Sequence, residues 1–147
     1  MDFHDYLHSC GQTARLEEKL LEELARKGEF SLLERRAARS SMQILIENAI
    51  GKSRRILKHY NCPVVPRSGR DAVTFLYECG VVDESLYREL NAAIGFRNAM
   101  IHDYMNFSEE ILEEMIKTFR WRFLVDYLLW EPKLNATQIH RIENFFL

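Results

Sequence analysis

Asp83-Glu84-Ser85-Leu86-Tyr87-Arg88-Glu89-Leu90-Asn91-Ala92-Ala93-Ile94-Gly95-Phe96-Arg97-Asn98-Ala99-Met100-Ile101-His102-Asp103-Tyr104 is the stretch that decides the fold. Asp83 is a helix-capping residue type, and Leu86, Leu90 and Ile94 recur every four residues along one helical face. The same helix then runs into Arg97, His102 and Tyr104, spaced by five and two. Arginine is permanently charged and offers a fork of donors that fits a phosphate. Histidine exchanges a proton near neutral pH. Together they are the minimum equipment for cleaving RNA without a metal.

The segments on either side also read as helix. Leu16, Leu20 and Leu24 form a four-residue stripe on a first helix that is expected to stop around Lys27-Gly28, with glycine as its C-terminal cap. Ser31-Leu32-Leu33-Glu34 is a capping box opening a long second helix, with its stripe along Leu33, Ala37, Ile44, Leu45, Ala49 and Ile56. Pro63 and Pro66 end that helix. Ser68 and Asp71 start a third, carrying Ala72, Phe75, Leu76 and Cys79 and closed by Gly80. Ser108 caps a fifth, striped by Leu112, Ile116, Phe119, Phe123, Tyr127 and Trp130 and terminated by Pro132, with Trp121 off the stripe and so exposed or in a contact. Asn135 and Gln138 begin a last short helix. No period-two strand and no repeat is evident. The expectation is an all-α antiparallel bundle of about five to six helices, a single domain over 1–147 in which 131–147 is a C-terminal extension.

Composition sets bounds. The chain has 147 residues, 47% apolar and 29% charged, with a formal net charge of −2, so RNA binding would have to come from local clustering. Cys10, Cys62 and Cys79 are an odd number with no C-x-x-C pair, which fits inert thiols in a reducing cytoplasm. His4 and His8 lie one turn apart but lack a third ligand, and read as frayed surface rather than a metal site. Neither a signal peptide nor a membrane span is expected.

Arg97-x4-His102-x-Tyr104 resembles the R-x4-H-x-Y signature of HepT-like toxins, a branch of the all-helical HEPN ribonucleases. Ser68-Gly69-Arg70-Asp71-Ala72, Gly95-Phe96 and Asp103 agree with that family, and the resemblance covers roughly residues 1 to 130. It implies a homodimer with the motifs lining one cleft, in which His102 moves a proton, Arg97 stabilises charge on the phosphoryl oxygens and Asn98 positions the phosphate or the imidazole. It implies no metal and no cofactor. It also implies a partner, a nucleotidyltransferase antitoxin of the MntA type, which would use ATP to attach AMP to Tyr104 and form a larger hetero-oligomer with the toxin.

Blander readings stand beside these. An arginine and a histidine at a helix end serve as caps or surface charges, and Tyr104 fits a core edge with its hydroxyl wet. Lys52, Arg54, Arg55, Lys58 and His59, with Arg67 and Arg70 beyond the prolines, form a basic cluster that suits either an RNA backbone or a solvated helix end. The rival functions are a non-catalytic helical substrate-binding partner of a nucleotidyltransferase, and a structural adaptor. On an ideal helix Arg97 and Tyr104 share a face, ~20° and ~10.5 Å apart, whereas His102 lies ~140° from Arg97. One helix therefore brings Arg97 and His102 together only if it distorts, if the guanidinium reaches round, or if a second copy completes the cleft.

Overall fold

Local capping chemistry sets most of the helix boundaries in the computed structural model, which describes residues 1–103 and 105–146. Seven α-helices and no strand are found among them: α1 Phe3–Ala25, α2 Leu32–His59, α3 Gly69–Glu78, α4 Glu84–His102, α5 Glu109–Lys117, α6 Arg122–Leu129 and α7 Ala136–Glu143. The all-α bundle expected from the periodicity is what forms. α2 is its axis and packs against α1, α3, α4, α5 and α6. Ser31 caps it as a full box, accepting from the Glu34 amide at 3.1 Å while the Glu34 carboxylate takes the Ser31 amide at 2.8 Å. Ser68 and Asp83 cap α3 and α4 in the expected places, and Gly80 closes α3 at φ +77°, where a side chain would be strained.

Two of the expected stripes lie only partly on the inner face. In α1 the inner face is Cys10, Ala14, Glu17, Leu21 and Leu24, while Leu16 and Leu20 are 58% and 43% exposed. Small residues at 10 and 14 let the helix approach its neighbours closely, and Leu24 belongs to both candidate stripes. In α2, Leu45, Ala49 and Ile56 are buried as expected, but Leu33 and Ala37 are exposed and Ile44 is half-buried. Gly28 is not a left-handed cap either. α1 ends at Ala25, and the Lys27 amide closes it on the Leu24 carbonyl at 3.0 Å.

The helix expected from Ser108 to Pro132 divides in two. The Thr118 hydroxyl turns back onto the Glu114 carbonyl at 2.7 Å, and Phe119 takes φ +57°, a left-handed conformation that ends α5. The break shifts the phase of everything after it. Trp121 is fully buried, and its indole N–H donates to the Ile116 carbonyl at 3.1 Å, whereas one continuous helix would have left it off the stripe. Leu124, Val125, Tyr127 and Leu128 then form the inner face of α6. Beyond buried Pro132, α7 opens with its own capping box, Asn135 and Gln138. Gln138 donates to the Gly80 carbonyl at 2.8 Å, and Phe145 packs on Phe75 with ring centroids 4.4 Å apart. Among the described residues no helix is long and apolar enough to cross a membrane.

Candidate active site on helix α4

Leu90, Ala93, Ile94 and Met100 anchor α4 in the core, and this fixes the rotation of every other residue on it. Arg97 is consequently half-buried, with its side chain turned towards α2. There its Nε donates to Glu47 Oε1 at 2.9 Å, and its Nη1 donates to Asn98 Oδ1 at 2.8 Å. A guanidinium has five N–H donors, so the Nη2 edge is left to meet an anion. Glu47, exposed beyond Arg97, also borders a hollow of about 340 Å3 with Ser40, Gln43, Ile44 and Asn48. Sequence reasoning missed Glu47, because it lies 50 residues from its partner and nothing local marks it.

His102 is the last residue of α4 and is exposed, its imidazole making no hydrogen bond or ion pair with any other described residue. Asp103 caps the helix, its amide on the Ala99 carbonyl at 3.0 Å, and a turn closes with Asn106 Nδ2 donating to Asp103 Oδ1 at 2.9 Å. Phe107 then folds back onto Phe96 of α4, centroids 5.1 Å apart, beneath the Arg39 guanidinium of α2. Tyr104, the expected modification site, lies outside the described residues.

The structure keeps the angular separation of Arg97 and His102 expected of an ideal helix. α4 stays α-helical through His102, so the backbone does not bring the two together. Asn98, however, stands four residues before His102, and residues at that spacing are face-sharing neighbours with Cβ atoms ~5–6 Å apart. The Arg97 guanidinium binds Asn98 Oδ1. Asn98 thus neighbours Arg97 through a hydrogen bond and His102 through helical spacing.

The basic cluster comes apart. Lys52 is no RNA ligand. It is 0% exposed, and its ammonium donates to the carbonyls of Tyr127 at 2.7 Å, Leu128 at 3.3 Å and Trp130, capping the end of α6 beside the Tyr127 and Trp130 rings. Burial pulls its pKa down from 10.5 to about 8. Arg55 donates to the Met1 carbonyl at 2.6 Å and lies over the Tyr6 ring, while His59 stacks on Phe3 at 4.0 Å. Arg54, Lys58, Arg67 and Arg70 are exposed. Only Arg70 is brought to α4: its Nη2 lies 3.0 Å from where a Cβ on Gly95 would stand. His4 and His8 line a separate hollow of about 600 Å3 with Leu16, Leu129 and Trp130. Among the described residues no three His, Cys, Asp or Glu side chains converge as metal ligands.

The model of the ribonuclease HepT-like family matches residues 11–127. Three solved structures share the fold. One is a tri-AMPylated Shewanella oneidensis HEPN toxin in complex with MNT antitoxin, 20% identical with a TM-score of 0.74, covering 87% of this chain and 98% of that one. Another is a toxin–antitoxin with AMP-PNP, 19% identical with a TM-score of 0.75, covering 87% and 99%. The third is a mutant of the toxin–antitoxin MntA–HpeT, 19% identical with a TM-score of 0.71, covering 84% and 97%. No curated protein matches the chain significantly.

Proposed function

Because the chain belongs to the ribonuclease HepT-like family, we propose that it is the toxin of a toxin–antitoxin pair, an endoribonuclease that cuts RNA without a metal and is silenced when a nucleotidyltransferase attaches AMP to Tyr104. The observation that carries the catalytic part is the set Arg97, Asn98 and His102 on α4. A guanidinium held at two of its donors leaves an edge for a phosphate, on the helix whose last residue is an exposed imidazole.

In this reading the ribose 2′-hydroxyl is the nucleophile. His102 takes its proton, the 2′-oxygen bonds to phosphorus, and the 5′-oxygen leaves and is protonated in turn. The products are a 2′,3′-cyclic phosphate and a 5′-hydroxyl end. Arg97 offsets the charge that grows on the non-bridging oxygens, in an orientation fixed beforehand by Glu47 and Asn98. One imidazole handles one proton at a time, so a homodimer whose two motifs face each other would supply base and acid together.

The partner and the modification are inferred from family membership and from the neighbouring toxin that is AMPylated and bound to an MNT antitoxin. In that scheme ATP is the antitoxin's cosubstrate, the toxin carries no cofactor, and both act in the cytoplasm. The test is labelled RNA with purified protein in EDTA. Wild type cuts, while Arg97→Ala and His102→Ala each lose ~10² to 10⁴ in rate and keep a helical circular dichroism spectrum. Wild-type cleavage by His102→Ala would remove the assignment, and a wild type that never cuts would favour the non-catalytic partner.

A further inference from the structure

A glycine inside a helix loses more backbone freedom on folding than alanine and packs nothing, so its presence at position 95, in the fourth turn of α4, asks for a local reason. What stands over it is Arg70. Its guanidinium, reaching over from the first turn of α3, passes 3.0 Å from where a Cβ at 95 would sit, tighter than ordinary contact. Arg70 is exposed, and its side chain makes no hydrogen bond or ion pair with any other described residue. A long cation is therefore led across α4 by a missing side chain and spends none of its donors there.

Where it is led matters. Seven residues separate Gly95 from His102, which at ~100° each returns to within ~20° of the same direction, ~10.5 Å further along the axis. Asn98 lies between them on that face, ~60° from Gly95, and binds the Arg97 guanidinium. Arg70 over Gly95, then Asn98 and His102, thus follow one another along a single side of α4, and Asn98 carries the hydrogen bond to Arg97. We propose that Arg70 is a second phosphate seat on this face, so that an RNA strand runs along α4 with its reacting phosphate at Arg97 and His102 and a neighbouring backbone phosphate on Arg70. The proposal rests on the ribonuclease reading for its ligand, but it concerns binding rather than the chemical step.

Binding is measured on the full chain carrying His102→Ala, by fluorescence anisotropy of a labelled single-stranded RNA at several salt concentrations. Adding Arg70→Ala weakens binding roughly tenfold and lowers the salt slope by about one. Adding Gly95→Ala instead raises the melting temperature, because alanine is the better helix residue, yet weakens binding roughly threefold by displacing Arg70. Combining the two weakens it no further than Arg70→Ala alone. Unchanged affinity and salt slope for Arg70→Ala, or a Gly95→Ala penalty that persists without Arg70, would overturn the proposal. Failure of the ribonuclease reading shows separately, as His102→Ala protein that still cleaves.

Discussion

Replacing Lys52 with methionine keeps the apolar stem of the side chain and deletes the ammonium, so it isolates what that group does. Its acceptors are carbonyls at the end of α6, which no further turn of helix can satisfy. Tyr127 and Leu128 are 2% and 1% exposed, so water is a poor substitute. A buried acceptor left without its donor costs about 1–3 kcal/mol. The 3.3 Å bond to Leu128 is the weakest, and Trp130 is only half-buried, so the three together come to about 3 kcal/mol rather than the upper limit. For a chain of this size that lowers the melting temperature by roughly 10 °C.

Thermal unfolding followed by circular dichroism reads it, with RNA binding of the folded variant expected to match wild type. The pH dependence has a definite sign. Burial holds the ammonium at about 8 against 10.5 in the open chain, so between those values the unfolded state binds more protons. Wild-type stability from this group therefore rises with pH from about 8 towards 10.5, and the gap to Lys52→Met widens across that window. A variant that melts within about 2 °C of wild type, or a gap that closes as pH rises, would refute the reasoning.

Two further outcomes concern assembly and silencing. Tyr104→Phe keeps the ring without the acceptor oxygen and is expected to remain a ribonuclease that the antitoxin no longer silences, while wild type co-expressed with it gains mass in AMP units on the Tyr104 peptide. An unmodified peptide with toxicity still neutralised would make inhibition a matter of simple binding. Light scattering at micromolar concentration is expected to give a dimer, and a fully active monomer would assign both proton transfers to one chain.

Much of the fold was legible because its signals are local. Ser31 with Glu34, Ser68 with Asp71, and Asn135 with Gln138 each satisfy helix ends within four residues, and the structure has all three caps. What escaped depends on partners far along the chain or on rare backbone. Lys52 reads as part of a basic run because its acceptors lie 75 to 78 residues away. The break at Phe119 needs a left-handed phenylalanine, which no residue preference announces, and Trp121 was misplaced with it. Leu16 and Leu20 mislead because a leucine-rich helix offers two stripes and only packing chooses between them. At the site, Arg97, Asn98 and His102 are contiguous enough to be read as a motif, whereas Glu47 and the passage of Arg70 over Gly95 exist only once α2, α3 and α4 are assembled.

The chemistry of the cut ends tests the central claim most directly. RNA fragments made by the wild-type protein in EDTA are predicted to carry a 2′,3′-cyclic phosphate on one side and a 5′-hydroxyl on the other, the signature of attack by the substrate's own 2′-oxygen at a phosphate held by Arg97. Fragments ending in a 3′-hydroxyl and a 5′-phosphate, or cleavage that stops when EDTA is added, would contradict it.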